Sequence, residues 1–181
     1  MQLKHFVICV LLLFLGQPQE EETISWSESR KLNWADFKGK VNTNSDAVAL
    51  TASGITFGFS VSTSGSRIVN YRTTVEAHFY PNKSWYDKER ADDYILGHEQ
   101  LHFDITELYT RLFRQRLSQL RINQNIRKQM KAIHEAINAE LDETQKRYDE
   151  QSSHSINTEV QLQWQQIIAK ELLKLEEFKS I

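Results

Sequence analysis

The stretch Ile68-Val69-Asn70-Tyr71-Arg72-Thr73-Thr74-Val75-Glu76-Ala77-His78-Phe79-Tyr80 alternates between two kinds of residue. Val69, Tyr71, Thr73, Val75, Ala77 and Phe79 would share one face, and Asn70, Arg72, Thr74, Glu76 and His78 the other. Successive strand side chains point to opposite faces, so this period of two predicts a half-buried strand. Leu50–Ser62 repeats the pattern, with Ile55, Phe57, Phe59 and Val61 set against Thr56, Gly58, Ser60 and Ser62. Thr63-Ser64-Gly65-Ser66 separates the two runs and carries the turn residues of a β-hairpin. Upstream, Ser25–Lys40 holds Trp26, Leu32, Trp34 and Phe37, an entry strand and turn whose aromatics pack on the body of the domain.

Beyond Trp85 the composition changes to Glu, Lys, Gln, Leu and Ile at helical spacing. A helix predicted over residues 88–120, with Asp87 as N-cap, places Ile95, His98, Leu101, His102, Ile105, Leu108, Leu112 and Phe113 on one stripe. A second, over 122–148, aligns Ile122, Ile126, Met130, Ile133, Ile137, Leu141 and Tyr148 in a narrower stripe. The pattern breaks over Asp149–Ser155, and a third helix begins near Asn157. Strands followed by helices make an α+β chain: an N-terminal hairpin or small antiparallel sheet packed on C-terminal helices.

The first residues are read apart from the fold. Lys4 precedes the uncharged run Phe6–Leu15, and Gly16-Gln17-Pro18-Gln19 and three glutamates follow. A basic start, about ten apolar residues and a polar exit read as a signal peptide over residues 1–19, with an uncleaved membrane anchor as the alternative. The expected location is therefore secreted or periplasmic, with residues 20–181 as one domain and no further membrane contact. The sole cysteine, Cys9, lies in this run, so a mature chain has no disulfide and any metal site must use His, Asp or Glu. The net charge is −2 with signs interspersed, which argues against a nucleic-acid partner.

Within the first predicted helix stands His98-Glu99-Gln100-Leu101-His102. Residues four apart lie one above the other on a helix, so two imidazoles can reach one ion. Glu99 sits about 100° around the axis, where a carboxylate can accept a proton from a metal-activated water. Both histidines fall on the apolar stripe, and burying them without partners would cost several kcal/mol, about what unsatisfied polar groups cost generally. The competing reading is a pair of hydrogen-bonded core histidines beside an exposed Glu99. The longer motif H-E-x-x-H-x-x-G-x-x-H is absent, since Ile105 and Leu108 occupy its glycine and third histidine positions.

A catalytic zinc site needs a third protein ligand. His78 is expected to face solvent on the hairpin, and His134 to lie at or near the surface of the second helix. On spacing alone His154, in the turn between helices, stands level with the carboxylates Glu135, Glu140 and Asp149. Asp104, Glu107 and Asp149 are candidate partners that fix imidazole tautomers. Tyr148 or Tyr109 could steady an oxyanion, although a buried packing role suits each.

Four stretches together resemble an uncharacterised bacterial family, domain of unknown function 922, described as candidate secreted zinc-dependent proteases. They are Trp34-Ala35-Asp36-Phe37-Lys38-Gly39, Ala49–Ile55, His98–Glu107 and Tyr148-Asp149 followed by His154. The resemblance runs from about Ser25 to Trp164. It implies a zincin-like fold, peptidase activity, a zinc cofactor held by His98, His102 and His154, and Glu99 as general base. Ser155 stands where the family often has glycine after that histidine. The expected function is an exported zinc metallopeptidase acting on a peptide or protein substrate. The alternatives are a non-catalytic exported domain with a structural zinc, and a zinc amidase acting on a non-protein amide.

Overall fold

The computed structural model describes residues 21–180. The expected leader over residues 1–19 lies outside the described residues. The elements are β1 (Ile24–Ser25), β2 (Ala49–Leu50), β3 (Ser53–Ser64), β4 (Arg67–Phe79), β5 (Trp85–Tyr86), α1 (Asp93–Ser118), α2 (Ile126–Ser152) and α3 (Thr158–Lys174). Strands precede helices, and the architecture is α+β.

The hairpin is β3 paired antiparallel with β4, and β1 adds a short third strand on the far side of β4. Its turn passes through Gly65, whose φ of 58° lies in the region that favours glycine. The alternation read from the sequence holds near the helices, where Val75, Ala77 and Phe79 are buried. It fails at the outer end. The register skips a residue between Ser62 and Thr63, so Val69 is left without a partner and exposed while Ile68 packs toward the core. A one-residue bulge reverses the faces beyond it.

His78 corrects a second expectation. It is buried rather than solvent-facing, because β1 pairs with β4 at Ser25–His78 and closes over that end of the sheet. Its Nε2 lies 3.3 Å from Glu76, and its Nδ1 has no hydrogen-bond partner among the described residues.

The N-terminal segment docks through its aromatics. Asn33 and Asp36 form a reciprocal capping box around the turn Trp34–Asp36. Trp34 stacks on Tyr86 at 4.4 Å, and Phe37 meets Phe79 edge-on at 5.0 Å. Gly39 passes so close to Ser84 that a Cβ there would stand 2.8 Å from its carbonyl oxygen. On α1, Gln100 accepts from the Leu32 amide and donates to Asp104, which also accepts from the Trp26 indole.

α1 starts later than expected. Asp87 serves a turn over residues 87–91, and Asp92 is the N-cap, accepting from the Ile95 amide at 2.8 Å. α2 likewise starts at Ile126, leaving Ile122 exposed, and runs on to Ser152 through the Asp149 region expected to break the pattern. α1 lies at the centre, with the hairpin on one side and α2 and α3 on others. Leu101, Ile105 and Leu108 meet Leu141, Tyr148 and Ile168 there. Phe113 and Leu117 meet Val75, Ile126, Met130 and Ile137 farther along. No helix among the described residues is long and apolar enough to cross a membrane.

A buried ion pair fastens the C-terminal end. Arg111 and Glu107 are 2% and 0% exposed and bond at 2.8 Å. Arg111 also donates to the Leu172 carbonyl, and Glu107 accepts from the amide and hydroxyl of Ser180. Removing one member leaves the other charge buried and unpaired. Arg111→Ala should therefore cost about 3–5 kcal/mol, measured as a fall in the urea midpoint. A loss below about 1 kcal/mol would be the behaviour of an exposed pair.

Candidate metal centre

The site is built across α1 and α2. His98 and His102 lie one turn apart on α1, and Asp149 comes from the last turns of α2. The His98 and His102 Nε2 atoms are 3.2 Å apart. Asp149 Oδ1 lies 3.2 Å from the first and 3.0 Å from the second. This is a group of three side chains that could hold a metal ion.

The remaining ring nitrogens decide what the three atoms present. His102 Nδ1 lies 2.5 Å from Gln145 Oε1, and His98 Nδ1 lies 3.2 Å from Gln161 Oε1. Each amide is oriented by its own nitrogen, which donates to the His102 carbonyl from Gln145 and to the Tyr94 carbonyl from Gln161. Both Oε1 atoms are therefore acceptors, and both Nδ1 atoms carry the proton. In the neutral rings both Nε2 atoms then hold lone pairs, aimed at each other and at a carboxylate oxygen. Three acceptors this close repel unless a cation lies among them. A proton serves one contact at a time, whereas a metal ion meets all three. The donor set fits a divalent ion of the kind bound by imidazole and carboxylate.

The three groups are also coupled electrostatically. Burial opposes charge on His102, but hydrogen bonding to Asp149 and the Glu99 carboxylate outweigh it, and its pKa rises. Burial also opposes charge on Asp149, yet the two imidazoles hold its carboxyl well below the usual carboxylate range. Glu99 is 4% exposed, and Thr51 donates to its backbone carbonyl. Among the described residues its carboxylate makes no hydrogen bond or ion pair, unlike the exposed Glu99 of the competing reading.

Residues 26–155 match the model of a family described as "Bacterial protein of unknown function (DUF922)". The chain belongs to that family. No curated protein and no solved structure matches it. The DUF922 match includes His98, Glu99, His102, Gln145, Asp149 and His154 and stops before α3, so Gln161 lies beyond it.

Within the DUF922 span, the expected site residues separate clearly. His98, His102 and Asp149 come together, and Glu99 is buried on α1 next to His98 in the chain. His154 does not join the three-donor group: it is 78% exposed, with Nδ1 3.9 Å from Asp149 Oδ1. It sits in the turn Ser153-His154-Ser155, whose three φ values are 50°, 52° and 74°. Because α2 continues to Ser152, Asp149 faces α1 from the helix while His154 falls beyond its cap. Glu140 is engaged by Arg116 through two 2.8 Å bonds, and Glu135 is exposed beside Lys131. His134 packs on Phe113 and Phe57. Asp104 and Glu107 bond the N- and C-terminal segments, not the imidazoles.

The imidazole partners that sequence reasoning missed are Gln145 and Gln161, neutral amides where carboxylates are the expected partners. The available signal was spacing: Gln145, Tyr148 and Asp149 recur at three and four residues along the inward face of α2. Gln145→Leu should lower zinc affinity by about 10–100-fold, the usual effect of losing a ligand's hydrogen-bond partner, read by competition with a chromogenic chelator. Unchanged affinity would mean that Gln145 does not orient His102.

Proposed function

We propose that this protein is an exported zinc-dependent metallopeptidase with a zincin-like active helix. The carrying observation is the convergence of three lone-pair donors from α1 and α2, beside a buried Glu99, one residue from His98, whose carboxylate makes no hydrogen bond or ion pair among the described residues. A structural staple has no use for such a carboxylate, whereas hydrolysis needs a base beside the electrophile. The leader-like residues 1–19 support a location outside the cytoplasm.

His98, His102 and Asp149 hold the ion in this reading. His154 stands next to Asp149 and is the fourth candidate, from the strained turn. Bound zinc supplies a Lewis acid that polarises the scissile carbonyl and makes water easier to deprotonate. Glu99 takes the proton from the attacking water and returns it to the departing amine nitrogen, so the carboxylate is unchanged over the cycle. Burial leaves little water to compete for it. β3, at the open edge of the sheet, is joined to α1 by the 2.7 Å Ser53–Thr106 contact and offers an extended substrate a strand to pair with. The same residues serve an amide outside proteins, and a panel of peptide and cell-wall amide substrates separates the two.

Glu99→Gln should retain one zinc per chain and lose hydrolysis by about 10²–10⁴-fold, the usual contribution of a general base. Equal turnover by wild type and Glu99→Gln would end the mechanism. Asp149→Asn and His154→Ala, compared by zinc content after dialysis, identify the third ligand. Asp149→Asn is expected to lose zinc and His154→Ala to keep it; the reverse result would assign the ion to His154.

A further inference from the structure

Tyr148 carries a polar atom that none of the described residues engages. The side chain is wholly buried on α2, one residue before Asp149. Its ring stacks on His98 at 4.6 Å and meets His102 edge-on at 5.0 Å, with Trp164 packed against it from α3. Phenylalanine would make the same contacts. The hydroxyl is nevertheless buried with no hydrogen-bond partner among the described residues.

Other tyrosines of the core are treated differently. The Tyr109 hydroxyl pairs with Thr144 at 2.7 Å, and the Tyr71 hydroxyl donates to the Leu117 carbonyl at 3.1 Å. Folded proteins satisfy nearly all buried polar groups, so an orphan among satisfied neighbours points to a partner from outside the chain. That partner must be an acceptor. A phenol, with an ordinary pKa of about 10, holds its proton near neutral pH and so has a hydrogen bond to give. Asp149 is the next residue, and both imidazoles of the candidate centre touch the ring.

We propose that the Tyr148 hydroxyl donates a hydrogen bond to the substrate's carbonyl oxygen as it becomes an oxyanion at the His98–His102–Asp149 centre. The inference rests on the metallohydrolase reading above. In the step concerned, the water oxygen bonds to the carbonyl carbon and the π pair of the carbonyl moves onto its oxygen. The water proton passes to Glu99, and Tyr148 keeps its own proton throughout. Donors aimed where negative charge develops are worth more in a buried site than in water. Tyr148 is thus a catalytic residue, not a packing residue alone.

The test compares full-length zinc-loaded wild type, Tyr148→Phe and, as a control, Tyr109→Phe. The readouts are zinc content, urea stability of the metal-free proteins, and calorimetric affinity for acetohydroxamate, a small oxyanion probe. Tyr148→Phe should keep its zinc and its stability, because no bond is lost, but bind the probe about 10-fold or more weakly, as expected for one charge-assisted hydrogen bond. Tyr109→Phe should lose stability and bind the probe normally. Normal probe affinity in zinc-loaded Tyr148→Phe overturns the inference while leaving the metal reading standing. Destabilisation or misfolding of Tyr148→Phe overturns it too, since the hydroxyl would then be structural. A wild type that binds neither zinc nor probe removes the metallohydrolase reading, and this inference with it.

Discussion

Two neutral amides hold the centre together. Gln145 and Gln161 each accept from an imidazole Nδ1, and each is anchored to a backbone carbonyl of α1. That arrangement forces the opposite nitrogens to present lone pairs to a common point. Without it, either ring could turn over and satisfy itself in the core. The amides add no charge, so Asp149 supplies the one carboxylate of the three-donor group. α1 must therefore stay in register with both α2 and α3, because one glutamine comes from each.

The rest of the fold can be understood as support for that register. α1 buries side chains around most of its circumference, which a helix wrapped on several sides must do. Its N-terminal half is tied to the entry segment through Gln100 and Asp104, and its C-terminal half to the chain's end through Glu107, Arg111 and Arg114. Arg114 also reaches the Val75 carbonyl and so joins α1 to the hairpin. These polar ties lie on faces of α1 away from the imidazoles. Glu99 is buried on α1 with its backbone carbonyl bonded by Thr51 and its carboxylate unengaged among the described residues.

The class of fold and the motif were legible because both rest on short-range periodicity. Alternation at Val75, Ala77 and Phe79 and helical spacing at Leu101, Ile105 and Leu108 placed the core before any contact was known. Boundaries were less legible. Asp87 and Asp92 are equally good caps by residue type, and the pairing of β5 with β2, through Asp87 to the Val48 carbonyl, settles which one is used. His78 looked solvent-facing because its own strand says nothing about β1, and Val69 looked inward because a bulge leaves no local mark.

For the centre, the amino-acid order alone determined His98, Glu99 and His102: an α-helix brings residues four apart together whatever else the chain does. Which residue completes the group was decided by tertiary structure. Asp149 and His154 are five residues apart, and only the extra helical turn through Ser152 directs one inward and leaves the other in water. The amide partners and the orphan hydroxyl of Tyr148 were hidden for the same reason. A hydrogen bond between side chains 43 or 63 residues apart depends on how helices cross, and no local pattern records that angle.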